Sequence, residues 1–196
     1  LKVISITTES QLNNHITFPL KIKLTSTLLS VVALVLLSLI ANTGSVQAYE
    51  DGWTIAIPSQ DINAPIVPVY IRDFGNNVIT WDFSGLRMQV GHLDATSWFG
   101  ENGTVILGGH SVISANQPDV FVHLDDVEVG DAIIVSGGGA ERHYQVTDVR
   151  RISQNDLSMF NPVSGERLIL FTCDTRTYDA ASRSYSGRIM VTALPS

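Results

Sequence analysis

The 196-residue chain contains a single cysteine, Cys173, and has no lysine after Lys23. Each scarcity excludes a class of chemistry. One cysteine cannot close an internal disulfide, so packing alone must hold the fold. Beyond position 23 there is no P-loop lysine, no Schiff-base lysine and no lysine acid or base. Positive charge is short overall, with 12 Lys and Arg against 19 Asp and Glu for a net charge of -7, which argues against a phosphate-backbone partner. Metal-ligating patterns are also missing. There is no His-Glu-x-x-His, and Asp125-Asp126-x-Glu128-x-x-Asp131 lacks the ligand spacing of a calcium loop. We therefore expect no metal and no other cofactor, and read those acids as a solvated turn.

What is present begins with an uncharged run from Leu24 to Tyr49, in which Leu28 to Ala41 is almost continuous Leu, Val, Ile and Ala. Lys21 and Lys23 precede it, and Val46-Gln47-Ala48 supplies the small residues that signal peptidase requires. Residues 1–48 thus read as a leader, either a signal peptide cleaved at about Ala48 or a membrane anchor, since a bilayer crossing takes about 20 mostly apolar residues. In both cases the positive flank stays cytoplasmic and residues 49–196 lie outside the cytoplasm. With 44% hydrophobic and 16% charged residues, the composition is that of a folded domain.

Within residues 49–196, short apolar runs are punctuated by Gly, Asn, Asp and Pro, and helical spacing rarely persists beyond two turns. The expectation is a mainly β domain. Candidate strands are Trp53 to Ile57, Ala64 to Ile71, Val78 to Thr80, Thr104 to Gly108, Ala132 to Ser136, His143 to Val149, Leu168 to Thr172 and Arg188 to Thr192. Eight strands suggest a barrel or sandwich. Gly137-Gly138-Gly139 can turn a hairpin, and the continuous runs Ala132 to Val135 and Leu168 to Phe171 suit strands covered on both faces. One or two short helices are expected, one after Pro118 with Asp119 as cap and the other between Gln154 and Phe160.

Cys173 follows the Leu168 to Thr172 run, at the rim of the predicted sheet. Acyl transfer by a cysteine needs a thiolate, an imidazole that protonates the leaving group, and an oxyanion donor. Past the leader the only imidazoles are His92, His110, His123 and His143. His110 stands out, because it ends a strand at Gly108-Gly109-His110, where two glycines allow a sharp turn and close approach. His123 and His143 read as surface or structural residues. A serine hydrolase is disfavoured, because Gly109-His110-Ser111-Val112-Ile113 lacks the closing glycine of a nucleophile elbow.

The segments Ile57-Pro58, Ala64-Pro65-Ile66-Val67, Leu107-Gly108-Gly109-His110, Leu170-Phe171-Thr172-Cys173 and Gly187-Arg188-Ile189-Met190-Val191 occur in an order that resembles a bacterial sortase. Val90-Gly91-His92-Leu93, Phe121-Val122-His123-Leu124 and Val129-Gly130-Asp131 are similar to that family as well. The resemblance implies a closed eight-stranded β-barrel and a cysteine transpeptidase. Cys173 would attack the Thr-Gly carbonyl of an LPxTG-like sorting signal, and His110 would protonate the departing amine and deprotonate the incoming one. Arg188 would hold the oxyanion or the substrate's threonine carbonyl, with Arg183 as the second candidate. Thr172, Trp98 and His92 are the candidates for contact with substrate. Implied partners are surface proteins or peptides bearing such a signal, and an amine acceptor such as a cell-wall peptide or a pilin lysine. The family's Thr-Leu-x-Thr-Cys has Ile169 in place of its first Thr, a change expected to affect packing. Asp51-Gly52-Trp53 is faintly similar to the lid of pilus-building sortases. The competing reading is an inert exported β-barrel that binds a partner and buries Cys173.

Overall fold

In a computed structural model, which describes residues 52–114 and 117–196, the apolar runs pair into one closed barrel of eight strands. The expected leader, residues 1–48, lies outside the described residues. In chain order the barrel strands are β1 (Thr54–Ile57), β2 (Ile62–Val69), β3 (Val90–Leu93), β4 (Gly103–Gly108), β5 (Ala132–Gly137), β6 (Ala140–Ser153), β7 (Glu166–Cys173) and β8 (Gly187–Pro195). Around the barrel the order is β1, β2, β3, β4, β7, β8, β6, β5, and β5 closes on β1. Closure leaves no barrel strand with an unpaired edge.

Two pairs are parallel, β2 with β3 and β4 with β7. The second positions the site. Parallel strands finish at the same rim, so β4 and β7 deliver their C-terminal residues side by side, with Phe171 opposite Gly108. β8 runs antiparallel to β7 and starts at that rim, placing Arg188 opposite Cys173.

The alternation of side chains along each strand separates two apolar clusters. Leu168 and Leu170 of β7 join Val105 and Leu107 of β4 and Ile189 and Val191 of β8 in the barrel core. Ile169, between them, turns outward and packs with Leu93, Ile106, Met159 and Met190 in a second cluster outside the barrel. β7 is therefore buried on both faces, as its continuous apolar run predicts, and Ile169 fills an outer packing position. The same expectation fails for β5, where Ala132 is exposed and only Ile133 and Val135 face the core.

Three further expectations change in detail. Val78 to Thr80 becomes Ile79–Trp81, which pairs with Ile71–Asp73 in a separate hairpin between β2 and β3. The eighth barrel strand is instead Val90–Leu93, all four of whose residues are buried, so it carries no polar-apolar alternation to read. The short helices are single 3-10 turns at Leu124–Asp126 and Ser158–Phe160, and the described residues contain no α-helix. After Pro118 the backbone closes on its neighbours: Phe121 N–H donates to His110 O at 3.0 Å and Val122 N–H to Asp119 O at 3.0 Å. Asp119 Oδ1 accepts from both Val120 N–H and Met88 N–H, which ties the segment to the loop before β3. At the tip between β5 and β6, Gly138 (φ 57) and Gly139 (φ 74) take the left-handed conformations of a tight hairpin.

Candidate active site

Cys173 is the last residue of β7. Counting by twos from Ile169 and Phe171, its side chain leaves the outer face of the barrel. Arg188 has the same parity as Met190 on β8 and lies directly across from Cys173, and side chains so paired sit about 5 Å apart on one face of a sheet. The half-buried thiol and the guanidinium are thus neighbours by strand register alone. Burial pushes the Cys173 thiol above its ordinary range, and the positive charge of Arg188 opposes that shift. Arg188 Nη1 donates to Tyr185 O and Gly187 O, both at 2.8 Å. Its Nε and Nη2 carry no hydrogen-bond partner among the described residues, which leaves two donor nitrogens, with three N–H groups between them, for an oxyanion.

His110 comes to the same rim from β4. Gly109 N–H donates to Phe171 O at 3.2 Å, and the buried Thr172 hydroxyl donates to Gly109 O at 2.8 Å. Two hydrogen bonds therefore clamp the residue before His110 to the two residues before Cys173. Gly109 is required for this approach, since a Cβ there would lie 2.7 Å from side-chain atoms of Val120 and Phe121. The imidazole Nε2 lies 2.9 Å from Phe83 O. A carbonyl can only accept, so Nε2 bears the proton, and Nδ1 is left to exchange one.

Cys173, His110 and Arg188 line one cleft of about 280 Å³. One wall comes from the second hairpin strand, with Thr80 and Trp81, and from Phe83 just after it. The other comes from the β6–β7 loop, with Leu157, Met159 and Phe160. The Trp81 and Phe160 rings stack, with centroids 5.5 Å apart and planes 8° from parallel. The loop that follows Cys173 is pinned as well. The Asp174 carboxylate is buried and meets Arg151 Nε and Arg176 Nε, each at 3.3 Å, while Asp125 Oδ2 takes Arg151 Nη2 at 3.2 Å and Arg176 Nη2 at 2.9 Å.

This architecture can be set beside known proteins. A family model described as the sortase domain matches residues 55–196. The chain belongs to the sortase family. Sortase A from Corynebacterium diphtheriae, as a lid mutant, superposes with a TM-score of 0.56 at 24% identity, covering 74% of this chain and 69% of that one. Sortase C-1 from Actinomyces oris gives 0.55 at 24% identity, over 74% of this chain and 73% of that one. A Clostridium perfringens sortase D5 transpeptidase gives 0.54 at 20% identity, over 74% and 79%. At these identities the superpositions speak for the fold. No curated protein matches the chain.

In this sortase the remaining candidates lie elsewhere. His92 is buried in an aromatic cluster, with Nε2 2.9 Å from Ser97 O and its ring edge-on to Trp98 at 4.9 Å, and burial lowers its proton affinity. Neither His92 nor Trp98 lines the cleft, and Thr172 sits beneath it in the clamp. Arg183 is exposed in a turn. Trp53, the last residue of the lid-like segment, stacks on Phe99 at 5.2 Å inside the barrel core. His123 and His143 are exposed beside Asp126 and Glu141. Trp81, which the sequence marks as a core or groove aromatic, lines the cleft. The sequence reading missed Phe83 and Phe160, whose one visible signal was an aromatic residue placed in a turn-rich segment.

Proposed function

We propose that this sortase is a cysteine transpeptidase that cleaves an LPxTG-like sorting signal between Thr and Gly and transfers the acyl group to an amine. The observation that carries the reading is the convergence of Cys173, His110 and Arg188 on one cleft at the rim shared by β4, β7 and β8. The Cys173 thiolate attacks the Thr carbonyl carbon, and the oxyanion that forms is held by Arg188. Collapse breaks the Thr-Gly C–N bond, and the His110 imidazolium gives its proton to the departing glycine nitrogen. A thioester on Cys173 remains. An incoming amine then loses a proton to His110, adds to the thioester and expels the thiolate; water in its place gives hydrolysis. The acceptor is a cell-wall peptide or a pilin lysine. Work on such substrates places the domain outside the cytoplasm, anchored by residues 1–48 or released after cleavage at about Ala48.

Burial of the thiol is the observation that favours the alternative, an inert barrel that binds a partner. One experiment separates the two. Intact-mass analysis of residues 49–196, incubated with a pool of LPxTG-like peptides and an amine, should show a thioacyl adduct and an amine-joined product, both absent in Cys173→Ala. No adduct with any peptide, together with a Cys173 inert to small alkylators, would overturn the transpeptidase reading and favour the binding barrel instead.

A further inference from the structure

His110 is held by a contact that no side chain supplies. Its Nε2–H donates at 2.9 Å to the main-chain carbonyl of Phe83, 27 positions earlier in the chain. That carbonyl has a fixed address. The Phe83 ring packs edge-on against Phe171 of β7, with centroids 5.8 Å apart and planes at 82°. It also lies over Gly108 of β4, where a Cβ would come within 2.7 Å of both the Phe83 and the Phe171 ring. Leu86 N–H closes a turn onto the same Phe83 carbonyl at 3.1 Å. Two residues earlier, Trp81 anchors the segment a second time through Nε1–H to Asp94 O at 3.1 Å and its stack on Phe160. The segment from Trp81 to Phe83 is therefore a strap, seated by its rings and presenting one carbonyl to the imidazole.

We infer that Phe83 is a positioning residue: its seated ring places its main-chain carbonyl so that His110 keeps Nε2–H and exchanges protons only at Nδ1. This rests on the transpeptidase reading above for its consequence and on the hydrogen bond for its geometry. An imidazole whose Nε2 proton is engaged has one basic nitrogen, and the partner at one ring nitrogen sets the chemistry at the other. In acylation the proton passes from Nδ1 to the departing amine nitrogen. In deacylation Nδ1 takes one from the incoming amine, and Nε2–H stays with Phe83 O through both steps. If the ring is lost, the carbonyl is free to drift and the imidazole can turn or change tautomer, so the fraction of enzyme with the base aimed correctly falls.

The test is 15N NMR of the histidine side chains in the 15N-labelled full chain, with His110 identified by the signals that disappear in His110→Gln. The neutral His110 ring is expected as the single Nε2–H tautomer in the wild type and as a mixture in Phe83→Ala. Phe83→Leu, which keeps an apolar group over Gly108 and Phe171, should restore the wild-type signals. Phe83→Ala should lower kcat by roughly 10–100-fold, the cost typical of a misplaced catalytic group, with KM little changed and kcat recovered in Phe83→Leu. An Nδ1–H tautomer in the wild type, or Nε2–H kept unchanged in Phe83→Ala, overturns the inference. Because the NMR reading needs no substrate, a wild type that shows Nε2–H yet acylates with no peptide would uphold the contact and overturn the transpeptidase reading alone.

Discussion

At the scale of single residues, the thiol and its partner pull in opposite directions. Burial raises the Cys173 thiol and Arg188 lowers it, with burial the larger effect. The reactive species is the thiolate, so alkylation of Cys173 should be slower at neutral pH than that of a free cysteine and should climb as pH rises through and beyond the ordinary thiol range. Arg188→Gln removes the charge that favours the thiolate and should move that climb to still higher pH. Iodoacetamide rates followed by mass spectrometry against pH measure both, and a climb centred below the free-thiol range in the wild type would contradict the first. Turnover should suffer more than alkylation in this variant. Loss of an oxyanion donor typically costs about 10²–10³ in kcat. Thr172 acts differently, since its buried hydroxyl meets Gly109 O and not the cleft. Thr172→Val leaves that carbonyl without its donor and should cost about 1–3 kcal/mol in urea unfolding, with the register of His110 against Cys173 loosened.

At the scale of elements, what the sequence displayed and what it concealed divide along physical lines. Cys173, His110 and Arg188 stand where strands end, and strand ends were visible because apolar runs stop there at Gly-Gly-His, Thr-Cys and Gly-Arg. β7 was visible because burial on both faces forbids polar residues along Leu168 to Leu170. β3 was concealed for the related reason that all four of its residues are buried, the polar His92 among them, and a four-residue run interrupted by a histidine is too short to classify. The strap was concealed because a main-chain carbonyl carries no residue signature, and the ring that seats it sits in a loop. Gly108 joins these elements, and its backbone does not need glycine's left-handed region. Only the space does: a Cβ would strike the Phe171 and Phe83 rings at 2.7 Å. Gly108→Ala should therefore destabilise the fold by about 1–3 kcal/mol, as overpacking does, and lower activity by displacing the strap. Gly85→Ala is the control, with nothing within 4 Å of its Cβ, and should stay within about 0.5 kcal/mol of the wild type. Urea midpoints measure both.

At the scale of the whole molecule, the distribution of amines gives the proposed chemistry a direction. Beyond the leader the chain carries nine arginines, eighteen acids and no lysine. A thioacyl enzyme reacts with any nucleophilic amine that reaches it, and arginine is not one, because its guanidinium stays protonated. The domain's own surface therefore offers no amine side chain onto which an acyl group could be transferred, whatever the local concentration of thioester. Residues 49–196 hold a single amine, the α-amino group at the start of the chain. Incubated with an LPxTG-like peptide and no acceptor, that domain should accumulate a hydroxylamine-sensitive adduct on Cys173 and release the peptide acid. No hydroxylamine-resistant acylation should map to any side chain between Trp53 and Ser196. Adding an amine should divert the acid to a joined product and lower the standing level of the adduct. Peptide mapping after hydroxylamine treatment decides the matter, because a stable acyl group found within those residues would mean that the thioester has a protein nucleophile other than an amine. The absence of lysine that first narrowed the chemistry of this chain then becomes, under the proposed chemistry, a functional property: no amine side chain of residues 49–196 competes with the acceptor.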